Sequence, residues 1–190
     1  MALATYSDLK TAVANWLHRS DLSTQIVDFI ALAESQIRQD VRCRAMEQSA
    51  TGSLSSATVA LPTRFAEARR VLINDEPCRY VTPEEFQPRR LWQTRLYTIE
   101  GQNFRFQQSS GTYQIDHWQW FAPFSGNSDT NWLLTNHPDI YLCASLAEAA
   151  IYLRDDPTQW ATKYQAAIAK LKRAEANVTG PLVVRPEKVE

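Results

Sequence analysis

The hydrophobic period of this chain changes twice, and that change constrains its fold more than any other feature. From Tyr6 to Val41 apolar residues recur at spacings of three and four, as on one-sided helices. Near Arg44 the pattern breaks into short runs rich in β-branched and aromatic residues. Near Pro138 the helical spacing returns. The implied order is helices, then strands, then helices.

The first helical stretch, "TYSDLKTAVANWLHRSD", opens with Thr5 as N-cap and Asp8 three residues on, a capping-box pattern. Tyr6, Leu9, Val13, Trp16 and Leu17 then share one face. Ser20-Asp21 interrupts it, and "STQIVDFIALAESQIRQDVR" follows with Ile26, Phe29, Ile30, Ala33, Ile37 and Val41 in register. A short link between two such faces predicts an antiparallel hairpin. At the other end Pro138 suits a helix start, with Leu142, Leu146, Ala149 and Leu153 as its inner face. "DDPTQ" stops that helix and starts another, lined by Trp160, Tyr164, Ile168, Leu171 and Ala174, with Lys163, Lys170, Lys172 and Arg173 outside. Asn177, Gly180 and Pro181 end it.

Between the hairpins, "ATVALP", "ARRVLI", "CRYV", "RLYTIE", "NFRFQQ" and "TYQIDHWQWF" read as strands. Asn74-Asp75 and Gly101-Gln102-Asn103 read as hairpin turns, and "TPEEFQ" as one short helix. The expected fold is mainly α with an inserted antiparallel β region (α+β): an antiparallel helical bundle of two helical hairpins with an extended C-terminal tail. Residues 1–178 form one domain on this reading, with the bundle at 5–42 and 137–178, the insertion at 45–122 and the tail at 179–190.

Composition removes several function classes. Twenty Lys plus Arg against 21 Asp plus Glu give a net charge of −1, whereas a general nucleic-acid binder needs a basic excess. Cys43, Cys78 and Cys143 are odd in number and far apart; neither a disulfide framework nor a metal site is indicated. His18, His117 and His137 share no ligand spacing, so neither metal nor cofactor is expected. No apolar run has membrane-spanning length, and "MALATYSDLK" has no signal-peptide pattern, so synthesis in a cytoplasm is expected.

Catalytic constellations are equally poor. Glu84-Glu85 are adjacent and cannot face one another as an acid–base pair. Ser145, His137 and Asp139 suggest a triad, but His137 and Ser145 stand roughly 12 Å apart along one helix. No enzymatic activity is expected.

Contact residues are better represented. "DHWQWF" puts Trp118 and Trp120 on one strand face. "ESQIRQDVRCR" puts Glu34, Arg38 and Arg42 at i, i+4 spacing, either a salt-bridge-laced surface or a fork onto a neighbouring subunit. "PRRLWQTR" interleaves Arg89 and Arg90 with Trp92. Trp and Arg are the residue types enriched at interface centres. Arg38, Arg42, Arg89, Arg90, Trp92, Trp118 and Trp120 are therefore candidate subunit-interface residues. A carbohydrate- or peptide-binding module is the alternative for so aromatic a chain.

"TYSDLKTAVANWLHRSDL", "IVDFIALAESQIRQDVRCRAME", "VALPTRFAEARRVLI" and "HPDIYLCASLAEAAIYLRDDPTQWATKYQAAIAKL" together resemble the head–tail adaptor proteins of tailed bacteriophages, from about Thr5 to Leu171. The resemblance implies a structural virion protein forming a ring, commonly dodecameric, beneath the portal protein. That ring extends the DNA channel without sequence-specific binding and offers a platform to the tail or tail-nozzle protein. The implied partners are the portal protein, neighbouring adaptor subunits, the tail protein and passing DNA, with no membrane. It also implies that the C-terminal segment docks on the portal. Leu182, Val183, Val184 and Arg185 are the candidate portal-binding residues, because an apolar trio at a free end is explained by a bound extended segment.

Overall fold

The computed structural model describes residues 3–86 and 95–179. The chain divides into two compact units, Met1–Ala45 with Phe121–Glu190 and Met46–Trp120. With 44% helix and 27% strand among the described residues, the protein is a balanced α+β chain rather than a mainly α one.

The first unit holds α1 (Tyr6–Leu17), α2 (Ser23–Asp40), α3 (Trp132–Asn136), α4 (Pro138–Leu153) and α5 (Thr158–Thr179). The Thr5–Asp8 capping box forms: Asp8 N donates to Thr5 Oγ1 at 3.2 Å, and Thr5 N donates to Asp8 Oδ2 at 3.0 Å. The remaining first-turn donors of α1 reach a segment distant in sequence. Tyr6 N donates to Asp129 O at 2.8 Å and Ser7 N to Asn127 O at 3.0 Å. α1 and α4 end on non-glycine residues in the left-handed region, His18 (φ 51°) and Arg154 (φ 61°).

The expected bundle of two hairpins is overturned at α4. Ile140, Tyr141, Cys143, Ala144, Ser145, Leu146, Ala149 and Ala150 are all buried, so α4 hides most of its circumference rather than the single stripe read from Leu142, Leu146, Ala149 and Leu153. A helix apolar nearly all round belongs at the centre of its unit. α2, α5 and α1 each pack against it, α2 most extensively. α1, α2, α3 and α5 thus surround one central rod, α4. Tyr164, buried on α5, donates its hydroxyl to Asp40 Oδ2 at the end of α2, 2.8 Å away.

The second unit is a seven-stranded sheet with its own core. Its strands are β1 (Glu47–Leu54), β2 (Thr58–Ala60), β3 (Phe65–Ile73), β4 (Glu76–Tyr80), β5 (Arg95–Glu100), β6 (Asn103–Phe106) and β7 (Gly111–Gln119). The order is β1-β7-β3-β4-β5-β6-β2. It is not wholly antiparallel: β4 and β5 run parallel. The sheet curls into a nearly closed barrel, which gathers Leu54, Val71, Ile73, Tyr97, Phe104, Phe106 and Ile115 into one buried cluster. Asn74 and Asp75 both take positive φ, 49° and 62°, and form the two-residue turn between β3 and β4 that their types favour. Pro83–Glu85 makes a single turn rather than the expected short helix. β1 carries no hydrophobic alternation in "EQSATGSL"; its pairing is set by β7, from Glu47↔Trp118 to Leu54↔Gly111.

Candidate interaction site

The candidate site lies on the outer face of the β1-β7-β3 ladder. Side chains alternate along β7: Ile115 and His117 are buried within the barrel, which directs Asp116 and Trp118 to the opposite face. The β3–β7 register slips between Ala68 and Arg70, and the extra residue of this bulge is Arg69. Its guanidinium lies 4.8 Å from the Trp118 ring centroid and pairs with Glu47 on β1. Arg69 therefore straddles β7, stacking on the middle strand and bonding to the far one. Beside it, Arg70 Nε donates to Asp116 Oδ2 at 2.8 Å, while Gln114 Nε2 donates to Asp116 Oδ1 at 2.9 Å. Hydrogen bonds from Gln114, Ser49 and Arg70 hold the Asp116 carboxyl below its ordinary range. The result is a preorganised polar surface around one indole.

The other candidates are dispersed. Trp120 is half-buried and donates its backbone N–H to Arg64 O at 2.8 Å. Arg38 is exposed on α2. Arg42 closes α2, its Nη1 donating to Arg38 O at 2.8 Å and Val41 O at 2.7 Å, a use of a terminal arginine that i, i+4 spacing does not reveal. Glu34 does not extend a charged ladder with them; it accepts from Phe124 N at 3.3 Å, and burial pushes its carboxyl up. Arg89, Arg90, Trp92, Leu182, Val183, Val184 and Arg185 lie outside the described residues.

A family model described as SU10 adaptor protein matches residues 4–185. The chain belongs to the SU10 adaptor protein family. This agrees with the resemblance to bacteriophage head–tail adaptors, and makes the protein a structural adaptor and virion component. No curated protein matches it.

In this SU10 adaptor the triad suggested by sequence is not assembled. Ser145 Oγ is buried without a hydrogen-bond partner, and His137 stands before α4 with its ring 5.6 Å from that of Trp132. Among the described residues there is no group of three metal-ligating side chains, and no helix is long and apolar enough to cross a membrane. Sequence reading missed the Asp129 knot. Asp129 Oδ2 accepts from Ser125 N, Ser125 Oγ and Gly126 N at 2.7–2.9 Å, and the backbone donors hold its carboxyl below the ordinary range. The signal available was "SGNSD", an acidic residue closing a small polar turn.

Proposed function

We propose that the protein is one subunit of a homo-oligomeric ring, commonly a dodecamer in such adaptors, seated beneath the portal protein of a tailed bacteriophage. The ring extends the channel through which DNA passes without sequence-specific binding, and its far side receives the tail or tail-nozzle protein. The observation carrying this reading is the family match over residues 4–185. The lateral contacts fall to the outer face of β1-β7-β3, around Arg69 and Trp118, with Arg38, Trp120 and the Arg89-Arg90-Trp92 segment as further contributors. Trp118 is already covered by Arg69, which favours a protein contact over a sugar-stacking platform.

The test is co-sedimentation of the adaptor with its cognate portal, followed by electron microscopy of the complex. A closed ring on one face of the portal is the expected result. An adaptor that never associates with the portal, at any mixing ratio, overturns the proposal.

A further inference from the structure

One corner of the helical unit combines exposed aromatic surface with a row of cations on one helix. The Trp16 and Trp160 rings meet edge to face, 5.4 Å apart, yet Trp16 remains 53% exposed. Lys163 lies over both, 4.6 Å from the Trp160 centroid and 5.9 Å from that of Trp16. From Thr158 to Ala174 the sequence of α5 contains four cations and no Asp or Glu. Among the described residues, Lys170 and Arg173 have no ion-pair partner. At 3.6 residues per turn, Lys163, Lys170 and Arg173 fall within an arc of about 80°, with Lys170 about 10 Å and Arg173 about 15 Å along the axis from Lys163. Like charges so placed repel one another. The arrangement suits an occupant with an apolar anchor at one end and carboxylates spaced along it. A DNA duplex presents phosphates throughout and its apolar groups, such as the thymine methyl, within the grooves, whereas a peptide carries an apolar anchor and spaced carboxylates side by side, so the occupant is protein.

This chain itself contains such a segment. "GPLVVRPEKVE", residues 180–190, places Val184, Glu187 and Glu190 three apart around Pro186. In a polyproline II conformation residues three apart share one edge at about 9 Å intervals. Val184, Glu187 and Glu190 then form one edge, and Arg185 and Lys188 fall on another. With Val184 level with Trp160, Glu187 falls between Lys163 and Lys170, about 5 Å along the axis from each and within reach of both long side chains, and Glu190 comes level with Arg173. The segment cannot do this within its own subunit. Val184 is five residues past Thr179 and reaches at most about 18 Å, whereas Lys163 lies about 24 Å and Trp160 about 28 Å back along α5. We propose that the Trp16–Trp160–Lys163 corner and the Lys170–Arg173 track of one subunit seat the C-terminal segment of a second copy. This head-to-tail contact closes into a ring when its rotation closes. It rests on the ring reading above, and the portal is the rival receiver of the same segment.

The test titrates a fluorescently labelled peptide of residues 180–190 into the full-length protein and follows anisotropy. Saturable binding is expected, weakened tenfold or more by Trp16→Ala and by Lys170→Glu with Arg173→Glu; circular dichroism checks that the exposed substitutions leave helix content unchanged. A peptide carrying Glu187→Lys and Glu190→Lys should lose the wild-type protein and bind the charge-reversed one. No binding of the wild-type peptide at about 1 mM, or binding indifferent to these substitutions, overturns the contact. So does a peptide that competes for portal binding while the charge-reversed protein still takes it up normally. A protein that binds the peptide but never the portal sinks the proposed function and leaves this contact standing. One that binds the portal but not the peptide does the reverse.

Discussion

Tyr113 lies where a side chain on Gly52 would begin. The two residues pair directly between β1 and β7, and a Cβ on Gly52 would stand 2.6 Å from the Tyr113 hydroxyl and 2.7 Å from Cζ. The missing side chain lets the phenol ring lie against the strand and pack on the barrel core, of which Tyr113 is a partly buried neighbour. Gly52→Ala should therefore cost about 1–3 kcal/mol, the usual penalty for overpacking. Urea unfolding measures it. The double variant with Tyr113→Ala should lose less than the two single losses added together, since removing the ring removes the clash.

Tyr164 and Asp40 tie α5 to the end of α2 across 124 residues of sequence. Tyr164→Phe keeps the ring in the core and deletes only the hydroxyl. The expected loss is about 1 kcal/mol, the net value of one such hydrogen bond. A loss indistinguishable from zero in denaturant titration would show that water replaces the hydroxyl at Asp40 without cost.

The Asp129 knot makes the α1 N-terminus sensitive to acid. The folded carboxyl sits below its ordinary range because backbone donors at Gly126 and Ser125 favour its charged form. Its contribution is present above the unfolded value, near pH ~4, and is lost as pH falls through the lowered folded value. Glu34 acts with the opposite sign. Burial raises its folded value, so the folded state holds the proton more tightly and stability declines as pH rises through that value. Asp129→Asn should lower the melting temperature at neutral pH and flatten the acid limb of the stability curve. Hydrogen exchange at Tyr6 and Ser7, whose amides donate to the knot, should quicken in the same variant. An unchanged acid limb would dismiss Asp129 as its source.

Arg69→Ala separates stability from assembly. Arg69 and Glu47 are both substantially exposed, and such pairs contribute about 0–1 kcal/mol. The subunit should unfold nearly as the parent does, while ring formation on the portal weakens because Trp118 loses its cover. Sedimentation of adaptor–portal mixtures reads the second effect. If portal complexes form normally, the β1-β7-β3 face is not the lateral contact.

Cys78 should resist alkylation. Burial pushes its thiol up to about 11, leaving little thiolate, the reactive form, at neutral pH. Labelling with iodoacetamide should be slow at pH 7 and accelerate with alkaline pH, or on unfolding. Rapid labelling of the folded protein at pH 7 would contradict that environment.

Much of the local order could be read directly. The capping box at Thr5 and Asp8, the turn at Asn74-Asp75 and the period-two pattern of β7 depend on residues close together in sequence, and each forms as its residue types dictate. β1 was hidden because "EQSATGSL" has no alternation of its own; a strand whose register comes from its neighbour leaves no periodic trace. The bonds that Arg42 and Glu34 make were not legible for a related reason. Helical spacing predicts which side chains can meet, not whether a free carbonyl or a distant amide binds one of them first.

The sequence by itself determined the alternation of helical and strand-rich stretches, the Asn74-Asp75 turn and the family to which the chain belongs. Tertiary structure alone decided that α4 is the central rod of its unit and that the strands curl into a barrel with one parallel pair. It also decided that Arg69 would bridge three strands. The physical reason is that hydrophobic periodicity records which residues of an element are buried, but not what buries them. A helix such as α4, apolar on several sides, is compatible with many partners. Which partners it takes depends on the simultaneous packing of segments that approach one another only in the folded chain.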